Sequence, residues 1–224
     1  MGKRKSILKR FEKTEILLHW YHALPFLILI FTGFYLAWQG WQGIEHSDRI
    51  SRIHEIVGVV LIFLAPISAI SGNTRLIFKN ILQIFHFGKS DLQWIRAEIF
   101  KKHGPPQPKF NTGQKLNTIA VFCYTLALQA SGIWLWLYPH SLLPRRTHTI
   151  IAIFAVFLLM GHLYMAMINP KTRPGFWGII HGFVPRSYIV DHHSLQLEEI
   201  EGLKEDSDAP NKGDRSDSEG NAQN

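Results

Sequence analysis

A chain of 224 residues with 46% hydrophobic residues, a mean hydropathy of +0.02 and a formal net charge of +7 has the bulk composition of a basic soluble protein. That average hides a strong contrast, because the two ends and one internal loop are polar while four long segments carry almost no charge. The positive charges fall in three separate segments, which argues against nucleic-acid binding. The single cysteine, Cys123, excludes a disulfide framework, a CxxCH haem attachment and an iron–sulfur cluster held by this chain alone.

Each of the four weakly charged segments is long enough to cross a bilayer as a helix, which needs about 20 mainly apolar residues. We predict spans at about 16–38, 53–72, 116–138 and 149–169. The first span follows a basic start, as a secretory signal would. Its apolar run exceeds the roughly 7–15 residues of a signal, however, and no small-x-small cleavage site follows it. The sequence therefore predicts an all-α membrane protein with a bundle of four transmembrane helices.

Lysine and arginine are distributed unevenly between the two sides of such a bundle. Twenty of them lie in residues 1–13, in the 73–115 connection or after residue 170, whereas four lie in the other two connections. Positive residues near the ends of membrane helices stay in the cytoplasm. We therefore predict a multi-pass protein of the bacterial cytoplasmic (inner) membrane with both termini cytoplasmic.

Three polar regions join or follow the predicted spans. In the 73–115 connection, SDLQWIRAEIFKK has the periodicity of a short amphipathic helix at the membrane surface. The Pro- and Gly-rich sequence KHGPPQPKFNTGQK then leads into the third span. From residue 194 the chain is acidic and poor in aromatic residues, which predicts a disordered cytoplasmic tail at 194–224 behind a membrane domain at 1–193.

The fourth span carries two histidines, His148 and His162, which are 14 residues apart. At about 100° and 1.5 Å per residue, the second ring lies within about 40° of the first and about 21 Å further along the helix. Ionisable groups inside a bilayer are costly and usually face a partner within a bundle. One face of this helix therefore presents two imidazoles at two depths, and each needs a partner on another span.

Depth decides which histidines can meet. His19 lies near the cytoplasmic end of the first span and matches His162, while His54 lies near the outer end of the second span and matches His148. Two imidazoles that face each other inside a bundle are suitable axial ligands for a haem iron. We therefore interpret the four histidines as ligands of two b-type haems, one near each membrane surface. His22, about 60° around the helix from His19, is the rival ligand on the inner side.

Two other interpretations of these histidines are weaker. A transition-metal site would need three or four histidines at one point, whereas these are spread over about 20 Å of depth. In a haem-free anchor or small transporter they would serve packing or a proton relay. The glycines Gly33, Gly58 and Gly132 would make room for a flat macrocycle or only allow close helix packing. We expect the remaining histidines to be surface or interface groups, namely His46, His86, His103, His140, His181, His192 and His193.

Five segments together resemble the di-haem cytochrome b (gamma) subunit family of membrane-bound formate dehydrogenases. They are RFEKTEILLHW at the start, RISRIHEIVGVV in the second span, KFNTGQK before the third, HTIIAIFAVFLLMGHLYMAM in the fourth and GFWGIIHGFVPRSYIVDHH after it. The similarity extends over about residues 10–193, and KFNTGQK with H-x13-H-x-Y and the terminal HH is its most specific part. The acidic tail and the outer loops depart from the family pattern.

The resemblance implies the same histidine pairing and a menaquinone site beside the inner haem. The implied quinone-site residues are Asn111, Gly113, Gln114 and His162. An ordinary helix N-cap is the competing explanation for the N-T-G-Q segment. The implied function is electron transfer from an iron–sulfur subunit through the outer and inner haems to menaquinone, with protons taken from the cytoplasm.

The resemblance also implies a division of labour among subunits. The partners would be an iron–sulfur (beta) subunit and a catalytic molybdenum or tungsten (alpha) subunit, and this chain would carry no catalytic residue for formate chemistry. The alternative is the cytochrome b subunit of another respiratory oxidoreductase, of the hydrogenase or thiosulfate reductase type.

Overall fold

The computed structural model describes residues 7–45 and 47–208, and this part of the chain forms nine helices and one small sheet. The four long helices are α1 (Lys13–Trp41), α2 (Asp48–Ser71), α5 (Thr112–Leu137) and α6 (Leu142–Leu163), the last continued by a π-helical turn at Tyr164–Ile168. The short helices are α3 (Thr74–Phe85), α4 (Lys89–Ile99), α7 (Pro174–His181), α8 (Arg186–His192) and α9 (Ser194–Asp208). Strands β1 (Ile7–Lys9) and β2 (Phe183–Pro185) pair antiparallel.

Four helices are long and apolar enough to cross a membrane: Lys13–Trp41, Asp48–Ser71, Thr112–Leu137 and Leu142–Ile168. Many of their large apolar side chains point outward, including Phe31, Phe34 and Phe157. Such faces suit lipid, and the helical backbone satisfies its own hydrogen bonds there. The prediction of an all-α, multi-pass membrane protein is confirmed.

The observed spans begin earlier than the predicted starts of 16, 53, 116 and 149. Helix α1, for example, begins with a capping box, in which the Glu12 backbone N–H donates to Glu15 Oε2 over 2.9 Å. A hydropathy window detects only the apolar part of a helix, whereas capped polar residues extend the helix beyond the hydrocarbon. The membrane helices are therefore longer than their apolar cores.

A layer of apolar side chains fills the middle of the bundle. It contains one buried residue from each long helix: Phe26, Leu61, Tyr124 and Ala155. Ala155 lies seven residues from both His148 and His162, so this layer separates the two levels at which the histidines occur. The only residue in the layer with a polar group is Tyr124, whose ring packs 5.4 Å from that of Phe26.

The two ends of the described chain meet in a cap at one end of the bundle. Strand β1 lies just before α1, and its partner β2 lies beyond the end of α6. A small core of Leu8, Val184, Tyr188 and Ile189 holds this sheet against α8. The predicted amphipathic helix corresponds to α4, whereas the sheet and helices α3, α7 and α8 were not predicted.

The first part of the predicted disordered tail is helical in the structure. Residues Ser194–Asp208 form α9, while residues 209–224 of the predicted tail lie outside the described part of the structure. Two surface ion pairs hold α9 in place, Lys79 of α3 with Glu199 and Arg186 of α8 with Glu201, each at 2.6 Å. The apolar residues Leu197 and Ile200 pack on the cap core. Composition does not predict this helix, because the ion pairs and apolar contacts that hold it come from residues distant in the sequence.

His193 corrects a second prediction, because its side chain is completely buried instead of lying at a surface. Its Nδ1–H donates to the carbonyl of Pro108 over 2.9 Å, and its Nε2 has no hydrogen-bond partner among the described residues. Burial, followed by the nearby charge of Arg10, lowers the pKa of His193 to about 3. Arg10 is also buried, and its guanidinium donates to Gln196 and to the carbonyl of Lys109. Burial lowers the pKa of Arg10 to about 10.

Acidification should loosen this cap. An unfolded histidine takes up a proton near pH 6.5, whereas the folded His193 has a pKa of about 3, so the unfolded state binds more protons between these values. Stability of the cap should therefore fall by about 1.4 kcal/mol for each pH unit below 6.5. Hydrogen exchange in residues 186–208, corrected for intrinsic rates, would measure this. His193→Gln should flatten the pH dependence, and an unchanged slope in that variant would contradict the assignment.

Candidate functional site

The two histidine pairs are named outer and inner after their predicted sides of the membrane. The outer pair, His54 and His148, joins α2 to α6. The ring centroids of His54 and His148 lie 6.2 Å apart, and the ring planes are inclined by 83°. Each histidine sits near the start of its helix, so the pair lies at the end of the bundle away from the cap. The two residues that depth matched in the sequence are therefore neighbours in the structure.

The inner pair joins α1 to α6 near the cap. The ring centroids of His19 and His162 lie 6.4 Å apart, with the ring planes inclined by 39°. The rival residue His22 points elsewhere: its ring stacks on Phe26 at 5.7 Å, and its Nε2 lies 3.4 Å from Thr125 Oγ1. The structure thus brings His19 to His162 and directs His22 toward α5.

Both separations fit a metal ion held between two imidazoles. With a metal–nitrogen bond of about 2.0 Å and a ring centroid about 1.2 Å behind the nitrogen, two imidazoles on opposite sides of one ion have centroids about 6.4 Å apart. Each pair therefore has room for one metal ion between its rings, and the two pairs lie at levels separated by the length of α6 between its histidines.

Hydrogen bonds at Nδ1 orient three of these rings. His54 Nδ1 lies 2.8 Å from Thr32 Oγ1, and His148 Nδ1 lies 2.9 Å from Ser131 Oγ. His162 Nδ1 lies 3.3 Å from the side-chain amide of Asn117, which can present either its oxygen or its nitrogen to the ring. A ring whose Nδ1 is engaged in this way keeps Nε2 available for a metal.

The three partners of these rings were not predicted from the sequence. The available signal was a polar residue inside an apolar span at the depth of a histidine, which applies to Thr32, Ser131 and Asn117.

Two of the three glycines lie directly against a histidine ring. A Cβ atom on Gly33 would lie 3.1 Å from His54 Cε1, and one on Gly132 would lie 3.4 Å from His148 Cε1. Gly58 differs, since a Cβ there would meet only Leu29 Cδ2 at 3.8 Å. Gly33 and Gly132 therefore make room for the outer pair of rings, whereas Gly58 has no contact with a ring.

Most of the other histidines lie at the surface, as predicted. His86, His103, His140 and His181 are exposed, His192 is half-buried and His46 lies outside the described residues. Among residues 7–45 and 47–208, no group of three or more His, Cys, Asp or Glu side chains converges on a point suitable for a metal ion.

The N-T-G-Q segment forms the start of α5. Asn111 is the N-cap, and its Oδ1 accepts from the Gln114 backbone N–H over 2.9 Å, while Gln114 Oε1 accepts from the Asn111 backbone N–H over 3.2 Å. These bonds use the side-chain oxygens and leave both amide nitrogens to donate elsewhere. Gln114 lies three residues, or about one turn, before Asn117, which contacts His162. The segment thus starts the helix that reaches the inner pair.

Helix α4 holds this segment in place. Asp91 Oδ1 accepts from Thr112 Oγ1 over 2.8 Å and from Lys115 Nζ over 2.9 Å, and both partners are buried. Burial opposes the charged form of Asp91, but its bonds from Lys115, Gly88 and Thr112 prevail and lower the pKa of the carboxyl. A Cβ on Gly113 would lie 3.0 Å from Trp94 Cη2. Gly113 therefore admits the indole ring, a role that the sequence did not suggest.

Comparison with known proteins supports a haem protein. A family model described as prokaryotic cytochrome b561 matches residues 10–182, which is more than half of the chain and includes the four spans and both histidine pairs. No curated protein matches the sequence. The chain therefore belongs to the prokaryotic cytochrome b561 family, whose members are membrane electron-transfer proteins that bind b-type haem.

Proposed function

We propose that this chain is the membrane cytochrome b subunit of a respiratory complex of the formate dehydrogenase type, carrying electrons from an iron–sulfur subunit to menaquinone. The observation that carries the proposal is the presence of two imidazole pairs, at 6.2 and 6.4 Å, one near each end of the bundle. A conduit across a membrane needs a redox group near each surface, and two such pairs supply the ligands for them.

Two haems would be held by four histidines, with His54 and His148 at the outer level and His19 and His162 at the inner level. Haem iron with two imidazole ligands takes up and releases one electron and has no open position for oxygen. The chain's own contribution is to hold each ring neutral and oriented, which Thr32 does for His54 over 2.8 Å.

The orientation of the bundle follows from charge. Both ends of the described chain lie on the same side, because β1 pairs with β2. We place that side in the cytoplasm, since 20 of the 24 Lys and Arg residues fall in segments that would lie there. The His19–His162 pair would then be the inner one. The His54–His148 pair would face the opposite surface, where an iron–sulfur subunit would dock.

Menaquinone would bind at the N-T-G-Q segment. The free amide nitrogens of Asn111 and Gln114 can donate to a quinone carbonyl oxygen. Gln114 lies about one turn from Asn117, whose amide contacts His162. We include Gly113 and His162 in this site, with Gly113 serving to seat Trp94 beneath the segment. Protons drawn from the cytoplasm would meet electrons brought inward, and each charge moved against about 100 mV costs about 2.3 kcal/mol.

Subunits of hydrogenase or thiosulfate reductase complexes are the alternative within the same class. The match to prokaryotic cytochrome b561 agrees with any of these complexes, and it favours all of them over a haem-free anchor. Mass spectrometry of the subunits that co-purify with the chain distinguishes them. A catalytic subunit with the sequence of a formate dehydrogenase, together with an iron–sulfur subunit, supports our proposal, whereas the catalytic subunit of a hydrogenase or of a thiosulfate reductase would replace it.

The purified complex should contain two b haems per copy of this chain. The reduced-minus-oxidised spectrum and the ratio of haem to protein measure this number. His148→Ala should leave one haem, because it removes one ligand of the outer pair only. His22→Ala should leave two, since that ring contacts Thr125 instead of His162. Loss of both haems or neither in His148→Ala would contradict the pairing, as would loss of one in His22→Ala.

Glycine substitutions should distinguish a glycine that makes room for a histidine ring from one that only allows close helix packing. In Gly33→Ala the new Cβ would lie 3.1 Å from His54 Cε1, so the ring must shift, and retention of the outer haem should weaken by about tenfold or more. Gly58→Ala is the matched control, because its Cβ would make an ordinary 3.8 Å contact with Leu29. Haem content after dilution and washing is the measurement. Equal retention in the two variants would mean that Gly33 serves helix packing alone.

Substitutions that preserve the helix cap should test the quinone site. Asn111→Asp and Gln114→Glu keep the oxygens that cap α5 but remove the donating amide nitrogens. We expect haem content to be unchanged and reduction of a menaquinone analogue to slow by about tenfold or more. The matched control is Asn73→Asp, since Asn73 caps α3 in the same way, with Oδ1 accepting from Leu76 over 3.0 Å. If all three variants reduce quinone at the wild-type rate, the segment is only a cap.

A further inference from the structure

We propose that Thr32 and Ser131 are positioning residues that fix the proton on Nδ1 of both outer histidines and lower the reduction potential of the haem held there. This inference rests on the proposed function in one respect, namely that haem binds between His54 and His148. It concerns which residues set the direction of electron flow, and it follows from hydrogen bonds within the outer pair.

The two hydroxyls have nearly identical surroundings. Thr32 Oγ1 donates to the carbonyl of Ile28 over 2.7 Å, with the carbonyl of Leu29 at 3.2 Å, and lies 2.8 Å from His54 Nδ1. Ser131 Oγ likewise donates to the carbonyl of Ala127 over 2.7 Å, with the carbonyl of Leu128 at 3.2 Å, and lies 2.9 Å from His148 Nδ1. The two arrangements therefore match contact for contact at the hydroxyl.

Counting protons gives the direction of these bonds. A hydroxyl has one proton and two lone pairs, and a carbonyl can only accept. The proton of Thr32 is therefore used toward Ile28, and its oxygen faces the imidazole as an acceptor. The proton between the two groups then belongs to His54 Nδ1, and the lone pair is on Nε2, the atom that would bind iron. The same count applies to Ser131 and His148, and the His148 ring has the carbonyl of Leu128 as an additional acceptor.

A hydrogen bond donated from Nδ1–H makes the imidazole a stronger electron donor to the metal. The hydroxyl is a better acceptor because its own proton is already donated, and such chains of hydrogen bonds polarise one another in a medium of low dielectric constant. A stronger donor stabilises ferric more than ferrous iron. The two hydroxyls therefore lower the potential of the outer haem.

The inner pair lacks an equivalent hydroxyl contact in the described structure. His162 Nδ1 faces the amide of Asn117 at 3.3 Å, a longer contact than the 2.8 and 2.9 Å of the outer pair. The outer haem is thus the one with the lower potential. Electrons that enter at the outer surface would move downhill to the inner haem and on to the quinone.

The test is optical redox measurement of each haem in the purified complex carrying Thr32→Val and Ser131→Ala together. We expect the ratio of reduced to oxidised outer haem at a fixed potential to rise about tenfold, which is about 59 mV for a one-electron couple. The inner haem should not change. The outer haem is identified as the one that is absent in His54→Ala.

Matched controls remove similar hydroxyls elsewhere. Thr118 donates to the carbonyl of Gln114 over 2.9 Å and Ser71 to that of Ile67 over 2.7 Å, and within the described residues neither hydroxyl contacts a histidine ring. Thr118→Val and Ser71→Ala should leave both potentials unchanged. Thr32→Ser and Ser131→Thr keep the hydroxyls and should restore the wild-type potential of the outer haem.

An unchanged or lowered outer potential, or an equal change in the controls, overturns the inference. If the double variant fails to retain the outer haem, Thr32→Cys provides the measurement, because its sulfur is a weak acceptor and should give a smaller upward change. Here too an unchanged potential overturns the inference. Failure of the proposed function is distinguishable: His54→Ala would then remove no haem, whatever residue stands at position 32.

Discussion

The structure depends on a constraint that applies to each imidazole inside the bundle. A ring in hydrocarbon is tolerable only if it is neutral and its nitrogens have partners. Three of the four rings meet this condition at Nδ1 through a polar side chain from another helix, at 2.8, 2.9 and 3.3 Å. The remaining nitrogen is the one that would bind a metal. Polar groups therefore gather at two levels, and the space between them is filled by an apolar layer that includes Phe26 and Ala155.

The cap shows how the inner level is anchored to the rest of the chain. Glu15, one turn before His19 in α1, accepts from Lys109 over 2.5 Å and from Asn80 over 2.6 Å. Lys109 lies two residues before Asn111, so this buried ion pair ties the start of α5 to the helix that carries an inner histidine. A buried pair contributes little net stability, but losing either partner leaves an unpaired buried charge. We interpret it as specifying one arrangement of these segments.

The most specific sequence motifs also contain residues that stabilise the fold and do not contact a cofactor site. RFEKTEILLHW supplies Arg10 and Glu15 to the cap, and the HH at the end of the last motif supplies the buried His193. Within KFNTGQK, Lys109 forms the ion pair and Asn111 caps α5. A motif beside a cofactor site combines residues that would contact the cofactor with residues that hold those contact residues in position. Sequence alone cannot divide them, because both kinds occur in one short run.

Much of the architecture was predictable because the depth of each residue in the membrane follows from its position along a transmembrane helix. Span positions follow from hydropathy, and the depth of His19, His54, His148 and His162 follows from a rise of about 1.5 Å per residue. Lateral contacts do not follow in this way. Four Ser–Gly or Thr–Gly pairs occur among the described residues, at 32–33, 71–72, 112–113 and 131–132, but only the first and last face a histidine. His192 and His193 likewise differ in burial because of contacts with Pro108 and Arg10, which lie far away in the chain.

Helix α6 is the element least able to change, because it alone carries a histidine at both levels. Its 14-residue interval matches that from His19 to Gly33 in α1, so both helices connect the same two depths, about 21 Å apart. One inserted residue within the interval would turn one ring by about 100° away from its partner. The only π-helical turn in the described chain is at Tyr164–Ile168, where the Asn169 N–H donates to Tyr164 over 2.9 Å. This wider turn begins after His162. It therefore leaves the 14-residue spacing between His148 and His162 in regular α-helix.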